Sequence, residues 1–178
     1  MAMEITNVYT EQFPKLRFIG LCYTNADRDE AGGFGRQWGE WWSQNRFAQM
    51  QEAVSCAPFD DSTVGLMTMR GDGSGFTYWI GLFFPAGTAV PEGYGHLDLP
   101  ESAIGVGWVC GKEENGEIYG SAHEAVCKKL AERGLDKFRS DVTGEDTYCF
   151  FERYVCPRFT KQDANGNVTL DYGNYIAL

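Results

Sequence analysis

The chain has 178 residues, 43% hydrophobic and 22% charged, which is enough apolar material for a real core and excludes a disordered chain. Fifteen Lys and Arg face 25 Asp and Glu, and the formal net charge of −10 repels phosphate backbones and attracts cations. No Lys/Arg cluster occurs, which argues against direct nucleic-acid binding, and no apolar run is long enough to span a bilayer.

The first predicted element is a strand over 16–24, "LRFIGLCYT", ending at the polar turn "NADRDE". A helical stretch follows over 34–54. Phe34, Trp38, Trp41 and Trp42 share one face, and Phe47, Met50 and Val54 fall on nearly the opposite one. The helix is therefore expected to break or bend near 43–46. Two strands over 63–70 and 76–84 are joined by the hairpin turn "GDGSG". A connector covers 86–99, and the pattern then restarts. It gives a strand over 103–111 and a helix over 121–133, with "SAHE" as a capping box and Gly134 as the C-terminal glycine. Strands over 147–155 and 168–177 complete the chain. The reading is a single domain over 1–178 of α+β class. Two pseudo-symmetric β-α-β-β halves, 15–85 and 100–178, form an antiparallel sheet with helices on one face and a ligand cleft on the other.

The N-terminus lacks the apolar segment of a signal peptide, so a cytoplasmic location is expected and the six cysteines read as reduced thiols. They form no C-x-x-C pair, and His96 and His123 are isolated, so neither a metal nor a cofactor is expected. His123, in the first helical turn, reads as solvated.

Several stretches, in order, carry a resemblance: "FIGLCYT", "YWIGLFF", the connector and strand "VPEGYGHLDLPESAIGVGWVCG", "FFERY" with its E-x-Y pattern, and the ending "LDYGNYIAL". Together they resemble the GyrI-like small-molecule-binding domains, which also serve as effector-binding halves of AraC-type and MerR-type multidrug regulators. The resemblance covers most of the chain but not the Trp- and Gly-rich region 27–58. It implies the paired β-α-β-β fold and places Glu152 at the bottom of an aromatic cleft that takes flat, often cationic, organic molecules. Some stand-alone members resemble hydrolases of cyclopropane-containing DNA-alkylating natural products, which would make Glu152, with Tyr148, the catalytic pair. The gyrase inhibition in the family's title is not carried by any motif. An acidic inhibitor of a topoisomerase-like partner stays a separate reading, and the sequence leaves the oligomeric state open.

The residues themselves point to the same carboxylate. In the strand over 147–155, Tyr148, Phe150, Glu152 and Tyr154 alternate to one face, and Cys149, Phe151 and Val155 to the other. A thiol, a Phe and a Val suit packing against helices, which assigns the Glu152 face to the cleft. A carboxylate among rings loses hydration and gains from a bound cation. The plainer alternative is an exposed Glu152 paired with Arg153 or a cross-strand Lys. Trp108 is core if Gly105 and Gly107 front the cleft, and wall if they do not. Of the two sets on the strand over 76–84, Trp79 and Phe83 are favoured as ligand wall because they flank Gly81. Trp38, Trp41 and Trp42 exceed what packing of one short helix needs, so Trp38 is expected to contact a ligand. Tyr94 is either a loop anchor or a rim residue.

Overall fold

A computed structural model describes residues 3–178. The described residues form strands β1 (Glu4–Phe13), β2 (Leu16–Tyr23), β3 (Thr63–Arg70), β4 (Thr77–Pro85), β5 (Gly95–Leu99), β6 (Ser102–Gly111), β7 (Thr147–Tyr154) and β8 (Val168–Ile176). The helices are α1 (Gly35–Ser43), α2 (Arg46–Ala53) and α3 (Ala122–Ala131). All strands join one antiparallel sheet in the order β1-β6-β8-β7-β3-β4-β2-β5.

That order contains the two expected halves. β3-β4-β2 mirrors β7-β8-β6, and the halves meet along the β3–β7 ladder, where Gly65 lies opposite Glu152. β1 and β5 are two strands beyond those expected from the sequence. Each precedes the first strand of one half yet pairs with the first strand of the other: β1 with β6, β5 with β2. The exchange ties the halves together through backbone hydrogen bonds.

The sheet is strongly curved. β1 and β4 are five strand spacings apart, about 24 Å in a flat sheet. Nevertheless the rings of Phe13 at the end of β1 and Phe83 on β4 lie 5.5 Å apart. The inner face of this curve holds a core of Phe13, Phe18, Leu66, Phe83, Ile104 and Phe151. Cys149 and Phe151 pack there, against other strands rather than against helices. The helices lie on the outer face. α1 and α2 cover the first half through Trp41, Phe47 and Met50, and α3 covers the second through Val126 and Leu130.

Local signals explain the helix ends. The expected break falls between α1 and α2, where Asn45 takes the left-handed conformation (φ 54°) that Asn tolerates better than most residues. α3 ends in a Schellman turn: Gly134 (φ 70°) donates to the Ala131 carbonyl and Leu135 to the Leu130 carbonyl. Its start differs from expectation. Ser121 sits at φ −91°, ψ 10° rather than in the extended conformation a capping box needs, and its hydroxyl makes no capping bond to the described residues. Gly105 and Gly107 let α3 sit close on β6, since a Cβ at either would meet Leu130 at 2.9 Å or Val126 at 2.7 Å. Among the described residues, no helix is long and apolar enough to cross a membrane.

Candidate functional site

The helices leave the middle of the outer face uncovered, and a cleft of about 750 Å³ opens there between α1 and the loop preceding α3. The cleft therefore lies on the helix-bearing face, not the opposite one. The expectation failed because the opposite face is filled by the sheet's own curvature. Phe34, Trp38, Tyr78, Tyr119, Tyr154 and Phe159 supply aromatic lining, and Glu152 lies at the floor. Among the described residues, no Lys, Arg or His lines the cleft.

Glu152 is only 7% exposed. It stands directly opposite Tyr172 on β8 and Gly65 on β3. Gly65 is the reason it has a partner on β4. With no side chain on β3 at that point, the Tyr78 hydroxyl reaches across and donates to Glu152 Oε1. Tyr172 donates from the other side, 3.3 Å from Oε2, and shares its proton with the Ile118 carbonyl at 3.2 Å. Behind Tyr78, Trp38 Nε1 donates to the phenol oxygen at 2.8 Å, and Phe34 stacks on the Tyr78 ring at 4.2 Å. The order Trp38→Tyr78→Glu152 is a hydrogen-bonded relay ending on a carboxyl group.

Burial raises the Glu152 pKa above the ordinary carboxylate value, and the hydroxyls of Tyr78, Tyr154 and Tyr172 pull part of the way back. Burial, followed by the charge of Glu152, drives the Tyr78 and Tyr172 phenols upward, so both serve as neutral donors. The site thus has a desolvated carboxyl group surrounded by ring faces. An arriving cation stabilises its ionised form.

The structure brings together Glu152, Tyr154 and Trp38 of the sequence-derived residues. Phe150 shares their face but stacks on His123 at 4.0 Å, away from the cleft lining. Tyr148 lies four residues from Glu152 on the same strand, about 13 Å away, so it is not its proton partner. Tyr78 and Tyr172 hold that place. Trp79 and Phe83 point into the inner core, which inverts the favoured choice of face. Gly81 opposes Gly20, and a Cβ on either would strike the other strand's backbone, so its role is strand approach rather than ligand room. Tyr94 packs edge-on to Trp41 at 6.1 Å as a loop anchor.

Trp108 also lies on the inner face, where it lines a second cavity of about 380 Å³ with Tyr9 and Arg158. Arg153 is buried there. It pairs with Glu11 at 2.9 Å, Asp171 at 3.1 Å and Asp60 at 3.5 Å, and so has no part in neutralising Glu152. His123 is half-buried rather than freely solvated. It bonds Asn174 at 2.8 Å and lies 3.5 Å from Cys127, one helical turn on; burial lowers the His123 pKa and pushes the Cys127 thiol up to about 11.

The sequence matches no family model, and no curated protein matches it. Solved structures do share its fold. A candidate bacterial transcription regulation protein from Staphylococcus aureus MU50 is 16% identical, with a TM-score of 0.60 over 96% of this chain and 99% of that one. SAV2435, solved bound to tetraphenylphosphonium, is 16% identical, with a TM-score of 0.63 over 97% of this chain and 94% of that one.

Proposed function

We propose that the chain, as one GyrI-like domain over 1–178, binds aromatic cations in the helix-face cleft and acts as a sensor or sink for such compounds. The observation that carries this reading is Glu152: a nearly buried carboxyl group, bonded among the described residues only by phenols, at the floor of an aromatic cleft that those residues leave without basic lining. A desolvated carboxylate is costly alone, and a cation between ring faces offsets that cost. The shared fold of SAV2435, bound to tetraphenylphosphonium, supports the same class of ligand. The acidic chain suits a molecule that meets its ligand in the cytoplasm without touching nucleic acid.

Titration of tryptophan fluorescence with tetraphenylphosphonium tests the reading, since Trp38 stands in the cleft. Glu152→Gln is expected to weaken binding by about 1.5–3 kcal/mol, the scale of a hydrogen bond to a charged group. Unchanged affinity in a folded variant refutes the role of Glu152.

One observation favours a second reading, hydrolysis of a strained electrophile such as a cyclopropane-bearing natural product. A carboxyl group of raised pKa sits beside a phenolic O–H, the arrangement of a general base next to a proton donor. Product formation that stops in both Glu152→Gln and Tyr78→Phe would establish turnover. Binding without product would leave the cleft as a receptor.

A further inference from the structure

The cleft carries more negative charge than one cation needs. Besides Glu152 at the floor, three further carboxylates line it: Asp29, Asp61 and Glu113. Each is exposed or nearly so, and they come from separate loops. Asp29 is held ionised by backbone N–H groups, Gly33 at 2.9 Å foremost. Glu113 accepts the Tyr119 O–H at 3.4 Å. Tyr119 connects the two levels of the site. Burial raises its pKa first, and the charges of Glu113 and Glu152 both raise it further, so this wall residue stands in the field of an outer and an inner carboxyl group.

Among the described residues, Asp29, Asp61 and Glu113 form no ion pair, and the nearby arginines are engaged elsewhere. Arg28 lies over the rings of Phe34 and Phe76, at 4.9 and 5.0 Å, and bonds the Gly32 carbonyl and Asn25. Arg36 bonds the Asp27 carbonyl. Arg158 is paired with Asp171, in the second cavity's network. The outer carboxylates and the buried floor carboxyl therefore line one cleft at two levels, and Tyr119 stands in the field of Glu113 and Glu152 alike.

We propose that the cleft selects elongated aromatic dications, with one positive end at Glu152 and the other among Asp61, Glu113 and Asp29 at the mouth. This rests on the cation-binding reading given above. A monocation satisfies only one of these levels. A dication gains at both, and its rings run along Tyr119 and Tyr154. The volume of about 750 Å³ is that of a site for a drug-sized molecule rather than a single ring.

The test compares a stilbene bis-amidine with the mono-amidine of the same skeleton, by fluorescence titration at about 0.15 M salt, where distant surface charges are screened. Three proteins are used: wild type, the double variant Asp61→Asn/Glu113→Gln, and a control triple variant Glu4→Gln/Glu92→Gln/Glu101→Gln that neutralises exposed acids outside the cleft. Asp29 is left in place because its backbone bonds shape its loop. Wild type is expected to bind the dication about tenfold more tightly than the monocation, with that ratio falling below about threefold in the double variant and surviving in the control. Equal affinities in wild type, a ratio that persists in the double variant, or an equal loss in the control overturns the dication selectivity and leaves cation binding standing. If neither amidine nor tetraphenylphosphonium binds wild type, the cation-binding reading falls, and the selectivity with it.

Discussion

Replacing Gly65 by Ala tests the architecture of the site at its narrowest point. A Cβ there would collide with the Tyr78 hydroxyl and lie 2.7 Å from Glu152 Oε1 and 2.9 Å from its Cγ. Both neighbours are buried members of the central ladder, so they have little room to withdraw. Overpacking of this kind costs about 1–3 kcal/mol. Parting the Tyr78–Glu152 bond costs about 1.5–3 kcal/mol more. Against this, Ala in place of Gly in a strand returns about 0.5–1 kcal/mol through the unfolded state. The balance is a loss of about 2–5 kcal/mol. At roughly 2–4 °C per kcal/mol for a chain of this size, the melting temperature falls by about 4–20 °C. Thermal unfolding followed by circular dichroism measures it. Gly39→Ala is the control: in α1, with no atom within 4 Å of the added Cβ, it is expected to stabilise the protein by up to about 1 kcal/mol. A Gly65→Ala protein that melts with wild type and binds cations equally well would refute the idea that this glycine exists to let Tyr78 meet Glu152.

Other perturbations follow from the same geometry. Trp38→Phe keeps a ring on the cleft wall but removes the donor to Tyr78; cation affinity is expected to fall by about 0.5–1.5 kcal/mol, read by titration calorimetry. Asp171→Asn strips the common partner of Arg153 and Arg158 on the inner face. It is expected to cost about 3–5 kcal/mol in denaturant unfolding, because Arg153 is left buried with less compensation. The pH dependence of stability has two opposite contributions. Glu152 has a raised folded-state pKa, so the folded protein binds more protons; stability falls as pH rises from the unfolded carboxyl value through the folded one, and Glu152→Gln is expected to remove that slope. His123 has a lowered folded-state pKa, so its contribution is present above about 6.5 and is lost as pH falls through the folded value; His123→Gln is expected to flatten that acid limb. Melting temperatures across pH for wild type and the two variants separate them.

Period-two alternation alone put Tyr148, Phe150, Glu152 and Tyr154 on one side of β7, because a strand leaves a side chain no other choice. The turn at 71–75, the break between α1 and α2, and the glycine stop of α3 were legible for the same reason: each depends on a few adjacent residues. The missing β1 and β5 were not legible, since each pairs with the opposite half and no local pattern records its partner.

Which face of the sheet holds the cleft was likewise beyond local pattern. Alternation divides Tyr78 from Trp79, and Gly105 from Trp108, without saying which set meets a helix, another strand or a ligand. The curvature that brings Phe13 onto Phe83 settled it by filling the inner face and leaving the space between α1 and α3 open. The partners of Glu152 came from the tertiary structure as well. Tyr78, Gly65 and Tyr172 are scattered along the chain but stand on neighbouring strands, and a hydrogen bond depends on distance in space. Local pattern was enough to stand a carboxylate among aromatics on a strand. The register of β3, β4, β7 and β8 decided what surrounds it, because register fixes which side chains face one another across a ladder.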